Sequence, residues 1–223
     1  MKIKPLVCFF SLVMMLCASL FAQDEAKIEL IPFIGYTFSD GVPVNPVDVG
    51  VGRMVNELSP TSSLSYGFET DVLFGGNFFV GFNFGQQQSQ LEGKFQEGGK
   101  QKFTDMAVRN YHGILGYNFG EPDSPVRPYF FGGLGATNYS PEDIQGQSIN
   151  GLTRFSTTWG GGMKFYFSEN MGARFGGRWT PTHINSETSG IWCSPWWPWD
   201  CWVLTSSNYS NQFELSGGLA IRF

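Results

Sequence analysis

Residues 212–223 read QFELSGGLAIRF, and the alternation within them decides the fold. In an extended chain successive side chains point to opposite faces, so Phe213, Leu215, Gly217, Leu219, Ile221 and Phe223 share one side. Gln212, Glu214, Ser216, Gly218, Ala220 and Arg222 share the other. One face is suited to an apolar surround and the other to polar company. A strand of this kind at the end of a chain leaves an apolar, unpaired edge, and such edges seed aggregation unless the sheet closes. A closed sheet is therefore expected.

Working outward, the same period of two recurs. Leu64, Tyr66, Phe68, Thr70, Val72 and Phe74 oppose Ser65, Gly67, Glu69, Asp71 and Leu73, and the Gly75, Gly76, Asn77 turn leads into Phe78, Val80, Phe82 and Phe84 opposed by Phe79, Gly81, Asn83 and Gly85. Strands are predicted at residues 27–38, 64–74, 78–85, 103–119, 128–139, about 154–167, 171–179 and 212–223, with Pro32 marking a bulge or a locally unpaired donor in the first. The fifth carries rings and glycines on both sides, so its faces stay unassigned. Residues 39–63, 91–101, 141–151 and 181–208 read as long loops, and the connections between them in sequence are shorter, with 120–127 the longest of these.

Composition narrows the setting. Aromatic residues are 17% of the 223 and glycines number 29, while charged residues are only 15%, too few for an ordinary soluble surface. Mean hydropathy is −0.12, as expected when only every second strand residue meets lipid. Residues 1–22, with Lys2 and Lys4 ahead of an apolar run from Leu6 to Leu20, are laid out as a secretory signal with cleavage after Ala22, leaving 23–223 as one domain. Removing those two lysines from 14 basic residues against 19 acidic ones leaves 12 against 19, a formal charge of −7. That balance gives nucleic acid no foothold. Cys8 and Cys17 leave with the signal. Cys193 and Cys201 remain as an even pair in an oxidising compartment, where a disulfide is expected.

Long and short connections alternating around eight strands, with rings gathered near strand ends (Phe74, Phe78, Tyr117, Phe119 and Phe223 at one end, Phe38, Phe155, Trp179 and Phe213 at the other), point to an all-β, eight-stranded antiparallel up-and-down transmembrane barrel. Together with QFELSGGLAIRF, the run RWTPTHINS at 178–186 and the stretch WCSPWWPWDCW that follows it, the chain resembles the small outer-membrane β-barrel domain family, relatives of the OmpA transmembrane domain and OmpX, in a largely uncharacterised branch. The resemblance implies an outer-membrane location, contact with outer-membrane lipids and lipopolysaccharide, recognition of the last strand by the barrel-assembly machinery, and surface loops rather than a particular activity. A periplasmic peptidoglycan-binding domain is not expected after Phe223.

Glu69, Asp71, Lys164, Arg174, Arg178, Glu214 and Arg222 all fall on inward faces. A barrel of eight strands is filled by its own side chains, so these are expected to form a buried ion-pair network; a narrow small-solute pore is the alternative. No cofactor or metal site is expected, because no phosphate-binding loop occurs and the cysteines lack partners at zinc spacing. His112 reads as a lumen hydrogen-bonder. His183 with Asn185, Ser186 and Glu187 resembles the His-x-Ser-Asn segment of lipid A deacylases with the last two positions exchanged, and on a strand that exchange turns Ser186 away from His183. The expectation is a non-enzymatic barrel, with a lipid-modifying hydrolase as its rival. Trp192, Trp196, Trp197, Trp199 and Trp202 lie within or beside the Cys193 to Cys201 ring. So much ring surface either folds back into the outer aromatic belt or makes a contact patch for an extracellular glycan, lipopolysaccharide or a protein.

Overall fold

The computed structural model describes residues 26–48, 54–142, 151–184 and 209–223. The strands are β1 (Lys27–Ser39), β2 (Val42–Asp48), β3 (Met54–Pro60), β4 (Ser63–Phe74), β5 (Phe78–Phe95), β6 (Lys100–Asn118), β7 (Val126–Pro141), β8 (Leu152–Tyr166), β9 (Met171–His183) and β10 (Tyr209–Arg222). Setting aside β2 and β3, eight antiparallel strands run β5-β4-β1-β10-β9-β8-β7-β6, and β5 pairs with β6 to close the ring. The first and last strands are neighbours, with Ile34 opposite Gly217 and Phe38 opposite Phe213. The β1–β10 ladder skips Ile31 and Pro32 without changing register, while Pro32 still stands opposite Phe68 on β4. Pro32 thus leaves a gap in pairing and no bulge, because a proline has no N–H to give.

The outside of the ring is apolar. Ile34, Leu64, Leu115 and Leu134 are each more than 60% exposed, with Phe130, Phe175 and Leu215 beside them. Leaving so much large apolar surface in water would be prohibitive, so the band is built for hydrocarbon. The faces of β7 also resolve: Arg127, Tyr129, Phe131, Thr137 and Tyr139 point inward and Phe130 and Leu134 outward.

Two segments predicted as loops are paired strand. Residues 39–63 contain the β2–β3 hairpin, whose β3 lies along β5 with Leu58 opposite Gly93 and Pro60 opposite Leu91. Residues 91–101 continue β5 and begin β6, which turn through Gly98 and Gly99, both at positive φ. The extension escaped the alternation test because the hydropathy phase inverts there. Below it, apolar residues face out; in it, Leu91, Phe95, Met106 and Val108 face in, while Gln90, Asp105 and Arg109 lie on the outer face. A sheet emerging from lipid into water swaps the face that must be hidden.

At this loop end the inward residues Val42, Val55, Leu58, Leu91, Phe95, Met106, Val108, Tyr139, Leu152 and Ile184 pack as one apolar cluster. Lys100 on the outside of the extension pairs with Glu92 at 2.8 Å, and that hydrogen bond and charge raise the Lys100 ammonium above its usual range.

Candidate functional site

Inside the ring the inward positions of the strands bring charges together in layers. Lowest, near the short turns, the Glu29 carboxylate accepts from Lys164 at 2.6 Å, from the Tyr166 hydroxyl at 2.5 Å and from Arg222 at 2.7 Å. Arg222 also stacks over the Tyr166 ring, 4.2 Å from its centre. Asp71 lies 3.6 Å from the same Lys164. One ammonium therefore serves two acids. Arg127, on the inward face of β7 and only 1% exposed, donates to the Asn77 side-chain oxygen at 2.7 Å.

A step further in, Arg174 is bonded to Glu69, which also accepts from Asn83 at 2.9 Å. Arg178 is bonded to Asn83 and reaches Glu214 at 2.8 Å. The guanidinium of Arg174 sits 4.3 Å from the centre of the Tyr129 ring and that of Arg178 5.3 Å from Phe33, so rings and cations fill the section together. Glycines make the room. A Cβ on Gly176 would lie 2.1 Å from the Tyr129 hydroxyl, and one on Gly160 would lie 2.5 Å from the Phe131 ring.

Toward the loops the network turns neutral. Gln212 donates to Gln87 at 3.0 Å, and Thr137 bonds Asn110 at 2.7 Å and Ser156 at 3.0 Å. His112 Nε2 and the Ser156 hydroxyl are 2.8 Å apart. A serine beside a histidine is the beginning of a nucleophilic site, yet both side chains are buried and the other ring nitrogen, Nδ1, has no partner. Among the described residues no acid orients the ring, and with both side chains buried the pair is placed to fill the lumen. Above it stands the apolar cluster. The cavity beside Glu69, Asn83, Arg174 and Arg178 measures about 20 Å³, close to the space one water needs.

The structure thus brings Glu69, Asp71, Lys164, Arg174, Arg178 and Glu214 into one buried group, with Arg222 at its lower edge. Two members of the group, Glu29 and Arg127, are absent from the set that the sequence points to. Glu29 has no partner that the sequence makes visible, and Arg127 falls in the expected connection 120–127, ahead of the strand predicted at 128–139. His183 ends β9 exposed, edge-on to the Tyr209 ring at 5.3 Å. Asn185, Ser186, Glu187, the two cysteines Cys193 and Cys201, and Trp192, Trp196, Trp197, Trp199 and Trp202 lie outside the described residues, as does the expected signal at 1–22.

The profile of the outer membrane protein beta-barrel domain matches residues 8–223. The chain belongs to this family. Among solved structures, this outer-membrane barrel is similar to Neisserial surface protein A at 16% identity and a TM-score of 0.54, over 90% of this chain and 100% of that one. It is also similar to the outer membrane protein OprG of Pseudomonas aeruginosa at 13% identity and a TM-score of 0.57, over 89% of this chain and 96% of that one. At such identities the likeness speaks for the fold. No curated protein sequence matches the chain.

Family membership places the barrel in the outer membrane, and in such barrels short turns face the periplasm and long loops the exterior. The rings follow that orientation. Phe78, Tyr117 and Phe119 stack edge-on at 4.8 and 5.2 Å at the periplasmic end, and Tyr36, Phe38 and Phe213 meet at 5.0 and 6.5 Å at the outer end. Outside the barrel above them, Arg109 bonds Gln86 at 3.1 Å and Ser140 at 3.3 Å. A guanidinium on the outer face marks where hydrocarbon ends.

Proposed function

We propose that this protein is a non-enzymatic, non-conducting barrel that carries its outer loops clear of the membrane for surface contact, with a Cys193–Cys201 disulfide holding Trp192, Trp196, Trp197, Trp199 and Trp202 as a rigid contact patch. The observation that carries this reading is the filled lumen: beneath the apolar cluster of Val42, Leu58, Phe95, Val108 and Tyr139 lies a charged network whose cavity measures about 20 Å³. A sealed barrel has its outer surface and its two rims with which to act. The strands β5 and β6 run on past the outer ring belt, and their own apolar core supports the loops above. Closing the nine-residue ring from Cys193 to Cys201 stabilises the loop by about 2.5 kcal/mol in the chain-entropy model. Rings held still lose little entropy when a glycan, lipopolysaccharide or protein docks on them. Cleavage after Ala22 releases the mature chain to this destination.

Mass spectrometry without reductant finds the Cys193–Cys201 linkage in protein from the native envelope, if the reading is right; free thiols at both positions remove the ring. Cells carrying the triple Trp196→Ala, Trp197→Ala, Trp199→Ala variant, with barrel assembly intact, lose adhesion or ligand binding. Unchanged binding across a glycan, lipopolysaccharide and matrix-protein panel removes the contact patch and leaves the rings to the outer belt.

A further inference from the structure

Among the described residues, one base of the charged lumen section has no acid beside it, and it lies at the periplasmic mouth. That section, from Glu29 up to Glu214, holds among the described residues four acids, Glu29, Glu69, Asp71 and Glu214, against five bases, Arg127, Lys164, Arg174, Arg178 and Arg222. Lys164, Arg174, Arg178 and Arg222 each pair with an acid of that set. Arg127 has no carboxylate within 4.0 Å among the described residues. Its Nη2 donates to Asn77 and, at 3.5 Å, to the Asn118 carbonyl, its Nη1 reaches the Pro122 carbonyl at 3.5 Å, and its Nε finds no acceptor. A guanidinium out of water with neutral acceptors alone is costly, and an anion is what relieves it.

Room for one is present. Arg127 lines a pocket of about 460 Å³ at the periplasmic end, together with Lys27, Arg222 and the Gly75–Gly76 turn, and Asp123 is the one acid in that lining. Of the three cations around this cavity Arg222 is already paired with Glu29, so Arg127 and Lys27 stand against the one carboxylate of the lining, a balance that favours an anion. The fixed fork of an arginine suits the oxygens of a phosphate, and the volume exceeds what a bare ion fills. We propose that the periplasmic mouth of the barrel is a binding site for a phosphate group, with Arg127 as its buried anchor, Lys27 and Arg222 as flanking cations and Asp123 opposing.

The test uses the full mature chain folded in nonionic detergent micelles, with inorganic phosphate titrated in at ionic strength held constant with chloride and its phosphorus NMR linewidth followed. Saturable broadening is expected. Arg127→Gln weakens it about tenfold, as the loss of a charge-assisted hydrogen bond implies, and Lys27→Gln weakens it less. Asp123→Asn tightens it, a change of opposite sign that simple loss of structure does not produce. Lys27 and Asp123 are exposed, so these two variants carry the test even if Arg127→Gln does not fold. Phosphatidylglycerol added to the micelles distinguishes the sources: competition with inorganic phosphate identifies a lipid headgroup as occupant, and its absence identifies a soluble phosphate compound. Broadening that does not saturate, or that is unchanged in both Lys27→Gln and Asp123→Asn, overturns the site.

Discussion

Glu29 and Lys164 stand 135 positions apart in the chain, yet the Glu29 carboxylate lies 2.6 Å from the Lys164 ammonium and neither side chain is exposed. The contact spans the lumen from β1 to β8, with β10 and β9 between them around the wall. A closed ring makes that reach short. The pair is the lower end of a network that continues through Asp71 to Glu69, Arg174, Arg178 and Glu214.

Removing one member of such a network strands the others. Glu29→Ala leaves Arg222 without an acid and Lys164 with Asp71 alone, at an expected cost of about 3–5 kcal/mol. Glu69→Lys does similar harm by placing a third cation against Arg174 and Lys164. Glu142→Lys, at the exposed end of β7, serves as the control and changes stability by under about 0.5 kcal/mol. Urea unfolding in lipid vesicles measures all three. Equal effects at Glu69 and Glu142 would remove the idea that the lumen charges hold the barrel together.

Neighbouring glycines on β9 test which face is which. A Cβ at Gly176 collides with the Tyr129 hydroxyl at 2.1 Å, whereas one at Gly177 lies 3.4 Å from the Phe213 ring, an ordinary contact on the lipid side. Gly176→Ala is expected to cost about 1–3 kcal/mol through overpacking, and Gly177→Ala to be near neutral. The same unfolding assay decides, and a reversed order of the two would mean that β9 is turned the other way.

The outward face meets hydrocarbon. Phe175 is 56% exposed and lies well inside β9, so Phe175→Arg is expected to cost about 2–4 kcal/mol near the bilayer midplane. Folded yield in vesicles reads this loss, and a yield equal to that of the unaltered protein would take Phe175 out of the lipid.

How much of this was legible in the sequence depended on which solvent each face sees. Where strands cross lipid, period two sorted Glu69, Asp71, Arg174, Arg178 and Glu214 inward without any structure, because lipid forbids charge on the other side. Above the membrane that rule inverts. Gln86–Gln90 and Leu91–Phe95 therefore read as a fading strand and a loop, although β5 runs unbroken through them. The β2–β3 hairpin was hidden by Pro43 and Pro46, which weaken any strand signal, and its pairing with β5 is a long-range contact that local pattern does not encode. Arg127 was missed because it falls in the expected connection 120–127, whereas β7 already begins at Val126; the facing of that strand was hidden for a different reason. Tyr129 and Phe131 point inward while Phe130 and Leu134 point outward, so both faces of β7 are apolar and alternation carries no phase. The inward rings are there to cover Arg174, a reason visible only once β9 is known to lie nearby.

A packed lumen with an apolar outer plug is expected to carry no steady current. Planar-bilayer recordings of the folded protein are expected to show at most brief, irregular events, since a hydrophobic section resists wetting. Stable, stepwise conductance would mean that the network and the Val42, Leu58, Phe95 and Val108 cluster part to form a path.

Closure of the eight strands in a membrane is the point on which the rest depends, and gel mobility of the outer-membrane fraction tests it most directly. A sheet hydrogen-bonded strand to strand all the way round, from β1–β10 to β5–β6, resists SDS until boiled. The unheated protein is therefore expected to migrate as a compact species distinct from the heated one and to stay with the membrane through carbonate washing. Identical mobility before and after heating, with release by carbonate, would contradict the closed barrel.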